Sequence, residues 1–498
     1  MGRSLYSDNE ISARIIKMST MANSFIKSKF SAIYLCVIAY TFLLVVVCLA
    51  TGFNGLYGQD SYEYLRFSKA LHAYFETGKE PGSFFWPVGY PLAGFIVGFI
   101  VKNITVAMLL VTIVSSAFTL LFLYKIIVLI YKGEPKSVNI FLILFFFLSP
   151  FVFRSSLVIM SDMMTVAGIS MSFYYFLYFF QYKNLCSYLL FVLFASVSVT
   201  TRYAAIVVLA VPIISAIYSV VKSKKYFYLP FAGLIALLVF VPHLYLKSNA
   251  PFAFVYHEWM IQWSILNFFK NTFSTVDGLH YYSVVNSVYV FSNCVYPGYV
   301  FVGIFFLWFF KKEILATSQI KIILFSILLY AFFLAGMPIQ NQRFLLLTYP
   351  LVLLLFYPSF SKIIQKEIIG KHFKIVLSVT VLIQFFFIYR ALLPQLRSNK
   401  SEKLIVSSVK KYADRKIIYT SGMEGALNAY GVTQELKSLY LEKIIAVQPN
   451  SLLLINPPEI EVQWQGKNPS LNWNFIKNHY TIIQLESLPN GWELYEIR

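Results

Sequence analysis

Four ionisable residues stand isolated at the ends of long apolar runs: Asp60, Asp162, Arg202 and Arg343. Asp60 lies in GQDSYEYLRFSKAL, residues 58–71, between two stretches of lipid-soluble character. Two readings of this aspartate compete. As a helix cap it would bind free backbone N–H groups, and Glu63 three residues on completes a capping box. As the chemical centre of a membrane enzyme it would accept a proton, the role of a positioned carboxylate. The arginines have the same ambiguity. Their planar forks suit phosphate oxygens, yet either could simply snorkel to lipid headgroups. Asp162 could cap its own helix or pair with Arg154. Ionisable groups at membrane depth are costly and usually mark a pathway or a site.

The elements around these residues are those of a membrane protein. The 498-residue chain is 58% hydrophobic and 13% charged, with a mean hydropathy of +0.67. Soluble domains carry about 25% charged residues. Spanning candidates, each approaching the ~20 residues that cross a ~30 Å hydrocarbon core, fall near 31–52, 104–130, 138–153, 162–180, 185–199, 203–221, 226–246, 294–310, 320–337, 344–360 and 373–393. The basic residues 1–30 lack a short apolar region with a cleavage site, so the first run reads as a retained helix. The net charge of +19 sits mainly in the membrane part. Residues 395–498 are nearly balanced, with 12 Lys/Arg and 10 Asp/Glu. That distribution argues against nucleic-acid binding. The four cysteines, Cys36, Cys48, Cys186 and Cys294, suggest neither a disulfide framework nor a zinc motif.

Charge also orients the spans. The run VGYPLAGFIVGFIV at 88–101 is short and studded with Gly and Pro. If it does not cross, the basic loops at Lys132/Lys136, Lys183, Lys222/Lys224/Lys225, Lys311/Lys312 and Lys362/Lys366/Lys371/Lys374 share one side with the basic N-terminus. That is the positive-inside pattern. The expected architecture is therefore a polytopic α-helical membrane protein of about eleven spans. Its N-terminal segment (1–30) is cytoplasmic, and residues 31–394 form the membrane unit. The loop 53–101, the long loop 247–293 and all four isolated charges then face outside.

Within the first of those loops, a helix is expected over about 61–77, closed by Gly78, with Tyr64, Leu65, Ser68, Leu71 and Phe75 at three- and four-residue spacing. The stretch KEPGSFFWPVGYPLAGF follows, broken by Pro and Gly. An outer-loop Asp, an amphipathic helix and a WPxGYPL stretch entering the membrane resemble the GT-C glycosyltransferases. The likeness is to the branch containing protein O-mannosyltransferases and bacterial lipid A aminoarabinose transferases. Ser161-Asp162 opening a span, Thr201-Arg202-Tyr203 between spans, the loop 247–293 and Gln342-Arg343-Phe344 heading a late span extend the resemblance over roughly 30–360.

Such membership implies an inverting transferase that takes a sugar from a polyprenyl-phosphate carrier. It implies Asp60 as general base, with an acceptor hydroxyl on a lipid, glycan or protein. The departing phosphate must meet positive charge; Arg202 and Arg343 are the foremost candidates, with Lys79 and Arg154 behind them. Relatives often have two adjacent acids, but Ser61 follows Asp60 here, leaving Glu63 and Asp162 as possible second carboxylates. Some relatives bind a divalent metal near this position. No compact ligand set is evident in this sequence, where His72, His257 and Glu258 are isolated candidates.

Beyond Pro394 the composition becomes that of a soluble domain. Residues 416–421, 451–456, 480–487 and 492–498 read as strands, and 401–412 and 470–478 as helices, giving a small extracytoplasmic α/β unit over 395–498. Trp464, Trp473 and Trp492 could stack on sugars or fill its core. Two other functions fit the same composition. A polysaccharide polymerase or ligase would use a lipid-linked glycan at a similar site. A transporter or flippase would show internal repeats and a midplane site, and no repeat is visible.

Overall fold

A computed structural model of the protein describes residues 32–248, 251–300, 302–308, 317–364 and 367–498. The basic segment 1–30 and the Lys311/Lys312 cluster lie outside the described residues. Among those described, seven helices are long and apolar enough to cross a membrane: Ala32–Thr51, Ile104–Tyr131, Ser161–Tyr182, Ala205–Lys222, Tyr228–Leu246, Ser318–Ala335 and Lys374–Tyr412. At 1.5 Å per residue, the 28-residue Ile104–Tyr131 helix is about 42 Å long. Asn103 starts it by accepting from the Val106 N–H at 3.2 Å. Leu185–Thr201 and Tyr349–Ile364 are shorter apolar helices at expected spans.

Two expected spans are not single helices. Residues 138–153 divide into Pro135–Leu142, a π-turn at Ile143–Phe147 and Pro150–Ser155. The cause is Pro150, which has no N–H and holds Ser149 extended at ψ 122°. The region 294–310 begins as two short helices, Pro297–Val300 and Gly303–Trp308. The Gly89–Val101 helix has 13 residues, about 20 Å, which is less than a hydrocarbon core.

The last long helix corrects the expected boundary at 394/395. It runs from Glu367 to Val409 straight through Pro394 and is prolonged to Tyr412 by a 3₁₀ turn, so residues 401–412 are its end rather than a separate helix. Beyond it lies a five-stranded sheet, ordered β4-β3-β5-β7-β6, of β3 (Ile417–Thr420), β4 (Glu435–Ser438), β5 (Ser451–Ile455), β6 (Ile482–Ser487) and β7 (Glu493–Ile497). β3 is parallel to β4 and β5, while β7 is antiparallel to β5 and β6. β4 escaped the sequence reading because ELKS lacks an apolar run. A separate hairpin, β1 (Thr272–Thr275) with β2 (Gly278–Tyr281), lies in the long loop.

Period-two alternation divides the five-stranded sheet between two cores. Ile417, Tyr419, Leu453 and Ile455 share a buried cluster with Trp473 and Ile476 of the Asn468–His479 helix. Ile418, Leu452, Leu454 and Leu494 share theirs with Tyr62, Tyr64 and Leu65 of the Gly58–Thr77 helix. The C-terminal unit is therefore packed on the helix that carries Asp60. Gly425 permits the approach, since a Cβ there would lie 2.6 Å from the Tyr62 Cβ. Tyr62 also donates to Glu402, and Asn399 Nδ2 donates to Asn54 Oδ1 at 2.8 Å.

Candidate active site

The helix carrying Asp60 starts three residues earlier than expected. It runs Gly58–Thr77, with extended Tyr57 as N-cap and no side-chain capping bond, and it ends at Gly78 in the left-handed region, φ 73°. Asp60 is thus inside the first turn and does not cap. Glu63 bonds Arg66 at 2.9 Å instead of returning to the helix start, so the capping box is not formed. What Asp60 binds is distant in sequence: its Oδ2 accepts from Arg343 Nη1 at 2.9 Å.

Arg343 is the hub of a chain of charges. Its Nε donates to Asp162 Oδ2 at 2.8 Å, and the other oxygen of Asp162 accepts from Arg202 Nη1. The order is Asp60–Arg343–Asp162–Arg202, two carboxylates matched by two guanidiniums. Exposure divides the roles. The Asp60 side chain is 31% exposed and Asp162 only 2%. Asp162 therefore holds two arginines in place, while Asp60 presents an accessible edge. Asp162 does not cap its helix, whose N-cap is Met160, and does not pair with Arg154. Arg154 Nε instead lies 3.0 Å from the side-chain amide of Gln395.

Local sequence explains how each group arrives. Arg202 ends the Leu185–Thr201 helix, with its guanidinium 5.0 Å from the Phe344 ring centre. Gly89 of the WPVGYPL stretch packs against that helix end, where a Cβ would sit 2.7 Å from the Thr200 carbonyl oxygen. Only glycine allows this contact without moving backbone. The Arg343 segment is fixed by the long loop. Asn341 caps the short Gln342–Leu345 helix through the Arg343 N–H at 3.0 Å. Asn286 Nδ2 donates to Ala335 O and Met337 O at 3.0 and 2.7 Å, and Tyr330 donates to Phe344 O at 3.0 Å.

Asp60, Arg202 and Arg343 line a cavity of about 120 Å³ that is also lined by the aromatic side chains of Tyr64, Trp86, Tyr203, Phe254, Trp259 and Tyr330. Tyr64 bonds Ser161 Oγ at 2.9 Å, tying the Asp60 helix to the Asp162 helix. Burial, reinforced by the Asp60 charge, pushes its phenol up to about 12, so it stays a neutral hydrogen-bonding group. Lys247, just beyond the Tyr228–Leu246 helix, donates to Phe85 O at 2.8 Å and Trp86 O at 3.4 Å, pinning the aromatic loop over the cavity.

No protein-family model and no curated protein sequence matches the chain. Solved structures do match. ArnT from Cupriavidus metallidurans, in the apo state, has a TM-score of 0.58 and 11% identity over 92% of this chain and 98% of its own. The same protein bound to undecaprenyl phosphate gives 0.59 at 11% identity and the same coverage. The chain has a GT-C fold. The archaeal oligosaccharyltransferase AglB from Archaeoglobus fulgidus, in complex with an inhibitory peptide and a dolichol-phosphate, reaches 0.45 at 10% identity, covering 92% of this chain and 74% of its own.

Within this GT-C fold the remaining sequence candidates separate. Lys79 and Glu63 do not line the cavity; Lys79 is exposed. His72 packs on Phe95 and Phe99 at 4.7 and 5.1 Å. His257 Nδ1 accepts from the Trp259 N–H at 3.3 Å, and Glu258 binds Gln262 and the Val276 N–H. Among the described residues, no three His, Cys, Asp or Glu side chains group as a ligand set. Asp60 has an arginine on one oxygen, and Asp162, the other carboxylate of the ion-pair chain, is committed to two guanidiniums. This donor set does not fit a divalent cation.

Several cavity residues carried no sequence signal, Tyr330 and Trp259 above all. Tyr330 is one tyrosine within a uniformly apolar span. Tyr64 could have been found, since it lies one helical turn after Asp60. All four cysteines are free.

Proposed function

We propose that this chain is a membrane glycosyltransferase that moves a sugar from a polyprenyl-phosphate donor to an acceptor hydroxyl, with inversion. One observation carries the reading: Arg343, on the wall of an aromatic cavity beside the accessible carboxylate Asp60, is held from behind by the buried carboxylate Asp162. The groups needed for proton removal and for phosphate stabilisation are thereby one guanidinium apart. Undecaprenyl phosphate bound to ArnT supports the donor class.

In the proposed reaction the acceptor oxygen attacks the anomeric carbon as the bond from that carbon to the phosphate oxygen breaks. The hydroxyl proton passes to Asp60, whose Oδ1 accepts no protein hydrogen bond among the described residues. The electron pair leaves with the phosphate. Among the described residues, Arg343 Nη2 and the Nε and Nη2 of Arg202 donate to no protein acceptor, so they remain for phosphate oxygens. Such donors, fixed where charge develops, usually contribute most to catalysis. A single displacement inverts the sugar.

Undecaprenyl phosphate, the leaving group of such a donor, is expected to bind the purified protein in lipid nanodiscs. Arg202→Gln should weaken that binding about tenfold or more, as expected for a charge-assisted contact. Wild-type protein that failed to bind it would remove the donor class from the proposal.

We further propose that the site faces outside and the N-terminus inside, at the cell's inner or plasma membrane, because the lysine clusters then follow the positive-inside pattern. With Cys36, Cys48, Cys186 and Cys294 replaced by serine, Lys224→Cys is expected to resist an impermeant thiol reagent applied to intact cells. Ready labelling would reverse the orientation.

A further inference from the structure

A second cavity, of about 230 Å³, lies between the C-terminal sheet, the β1–β2 hairpin and the first turn of the Asp60 helix. Its position follows from the sheet topology. Ser421 and Gly422 follow β3, Tyr440 lies just beyond β4, and Asn456 follows β5. These are the carboxyl ends of three neighbouring parallel strands, the edge at which open α/β sheets place their ligands. The opposite wall comes from the membrane unit and consists of Gln59 and Asp277. Gln59 is the chain neighbour of Asp60. Asp277 is close enough for its carboxyl to respond to the Asp60 charge.

The lining has a consistent chemistry. Carboxamides come from Gln59, Asn456 and Gln463, and carboxylates from Asp277 and Glu459. The Tyr440 and Trp464 rings meet edge to face at 5.3 Å. No lysine or arginine lines the cavity, and neither carboxylate forms an ion pair with a lysine or arginine among the described residues. Burial raises the pKa of both. The hairpin is locked to this wall by Gln463 Nε2, which donates to Asp277 O at 2.9 Å. Acceptor oxygens and carboxamides beside an aromatic edge suit a ligand with many hydroxyls. The absence of cations from the lining disfavours a phosphorylated or acidic one.

We infer that this crevice holds a neutral or amine-bearing sugar unit of the acceptor, and delivers the adjoining hydroxyl to Asp60. The inference rests on the glycosyltransferase reading, for which it specifies the acceptor class. It gives the C-terminal unit a function: completing the acceptor side of a site whose donor side lies in the membrane unit.

The test uses the full chain in nanodiscs with four soluble probes, glucose, glucosamine, N-acetylglucosamine and glucose 6-phosphate, observed by saturation-transfer NMR. At least one of the first three is expected to bind, and more tightly than glucose 6-phosphate. Trp464→Ala should weaken that binding about tenfold, and Glu459→Gln, which preserves shape, should also weaken it. Asp60→Asn should leave it unchanged. In a deletion strain, envelope glycans restored by the wild-type gene should be lost with Trp464→Ala and with Glu459→Gln. No sugar binding, preference for glucose 6-phosphate, or wild-type glycans from both variants would each overturn the acceptor site. Titration of Mg²⁺ or Mn²⁺ that displaced the bound sugar from the wild type but not from Glu459→Gln would reassign the crevice to a cation. If Asp60→Asn also restored normal glycans, the transferase reading itself would fail. Lost glycans with Asp60→Asn but not with the crevice variants would defeat the acceptor site alone.

Discussion

Asp60→Asn is expected to reduce transfer by about 10²–10⁴-fold, the range for loss of a positioned general base, while the protein folds and still binds undecaprenyl phosphate. Asparagine has nearly the same shape and keeps an oxygen that can accept from Arg343 Nη1, now 2.9 Å from the carboxylate. It cannot hold the proton of an attacking hydroxyl. Asp60 makes no capping bond, so the substitution removes none from its helix. It also weakens the hold on Arg343, which should leave phosphate affinity equal or slightly tighter. A readout that separates chemistry from binding is therefore required. Single-turnover transfer should collapse while the undecaprenyl phosphate titration is preserved. Near-normal turnover by Asp60→Asn would exclude Asp60 as the base.

Asp162→Asn should have the largest effect on stability. Asp162 is 2% exposed and accepts from both Arg343 and Arg202. An amide there offers one oxygen to two guanidiniums and turns its own N–H groups toward donors. Breaking a buried ion network from one side costs about 3–5 kcal/mol, because the remaining charges stay buried and uncompensated. The two arginines, no longer bridged, repel each other. A lower thermal midpoint and weaker undecaprenyl phosphate binding are both expected. Combining Asp162→Asn with Arg202→Gln should cost less than the sum of the two, since the second change removes a charge that the first left unpaired. Additive losses, or an Asp162→Asn protein with wild-type stability and affinity, would show that Asp162 does not hold the arginines.

The contrast between these two aspartates marks where sequence reasoning stopped. Both stand where the sequence suggests that a helix begins, and in both cases a local cap was the simplest explanation. The caps proved to be Tyr57 and Met160, neither with a side-chain bond. Capping depends on which residue begins the helix, and a shift of three positions removes it. The observed partners of Asp60 and Asp162 lie 283, 181 and 40 residues away. No periodicity reports such pairings.

The C-terminal unit divides in the same way. Four of its strands are apolar enough to be visible in the chain, and Trp473 lies in the core, 5% exposed. Trp464 instead lines a crevice. The difference lies in which sheet face and which strand ends each residue meets. Pro394 suggested a boundary, yet the helix continues through it to Val409.

By itself the sequence determined that this is a multi-span membrane chain with a small α/β unit at its end, because apolar run length and alternation are local quantities set by the bilayer and the pleat. It also determined which scarce charges stand at helix ends. Tertiary structure alone decided that four of them form one chain of ion pairs, with Arg343 at its centre and Asp60 at its open end. The physical reason is that side-chain contacts between distant segments are fixed by helix packing, loop anchoring and close approaches such as Gly89 on Thr200, none of which has a local signature.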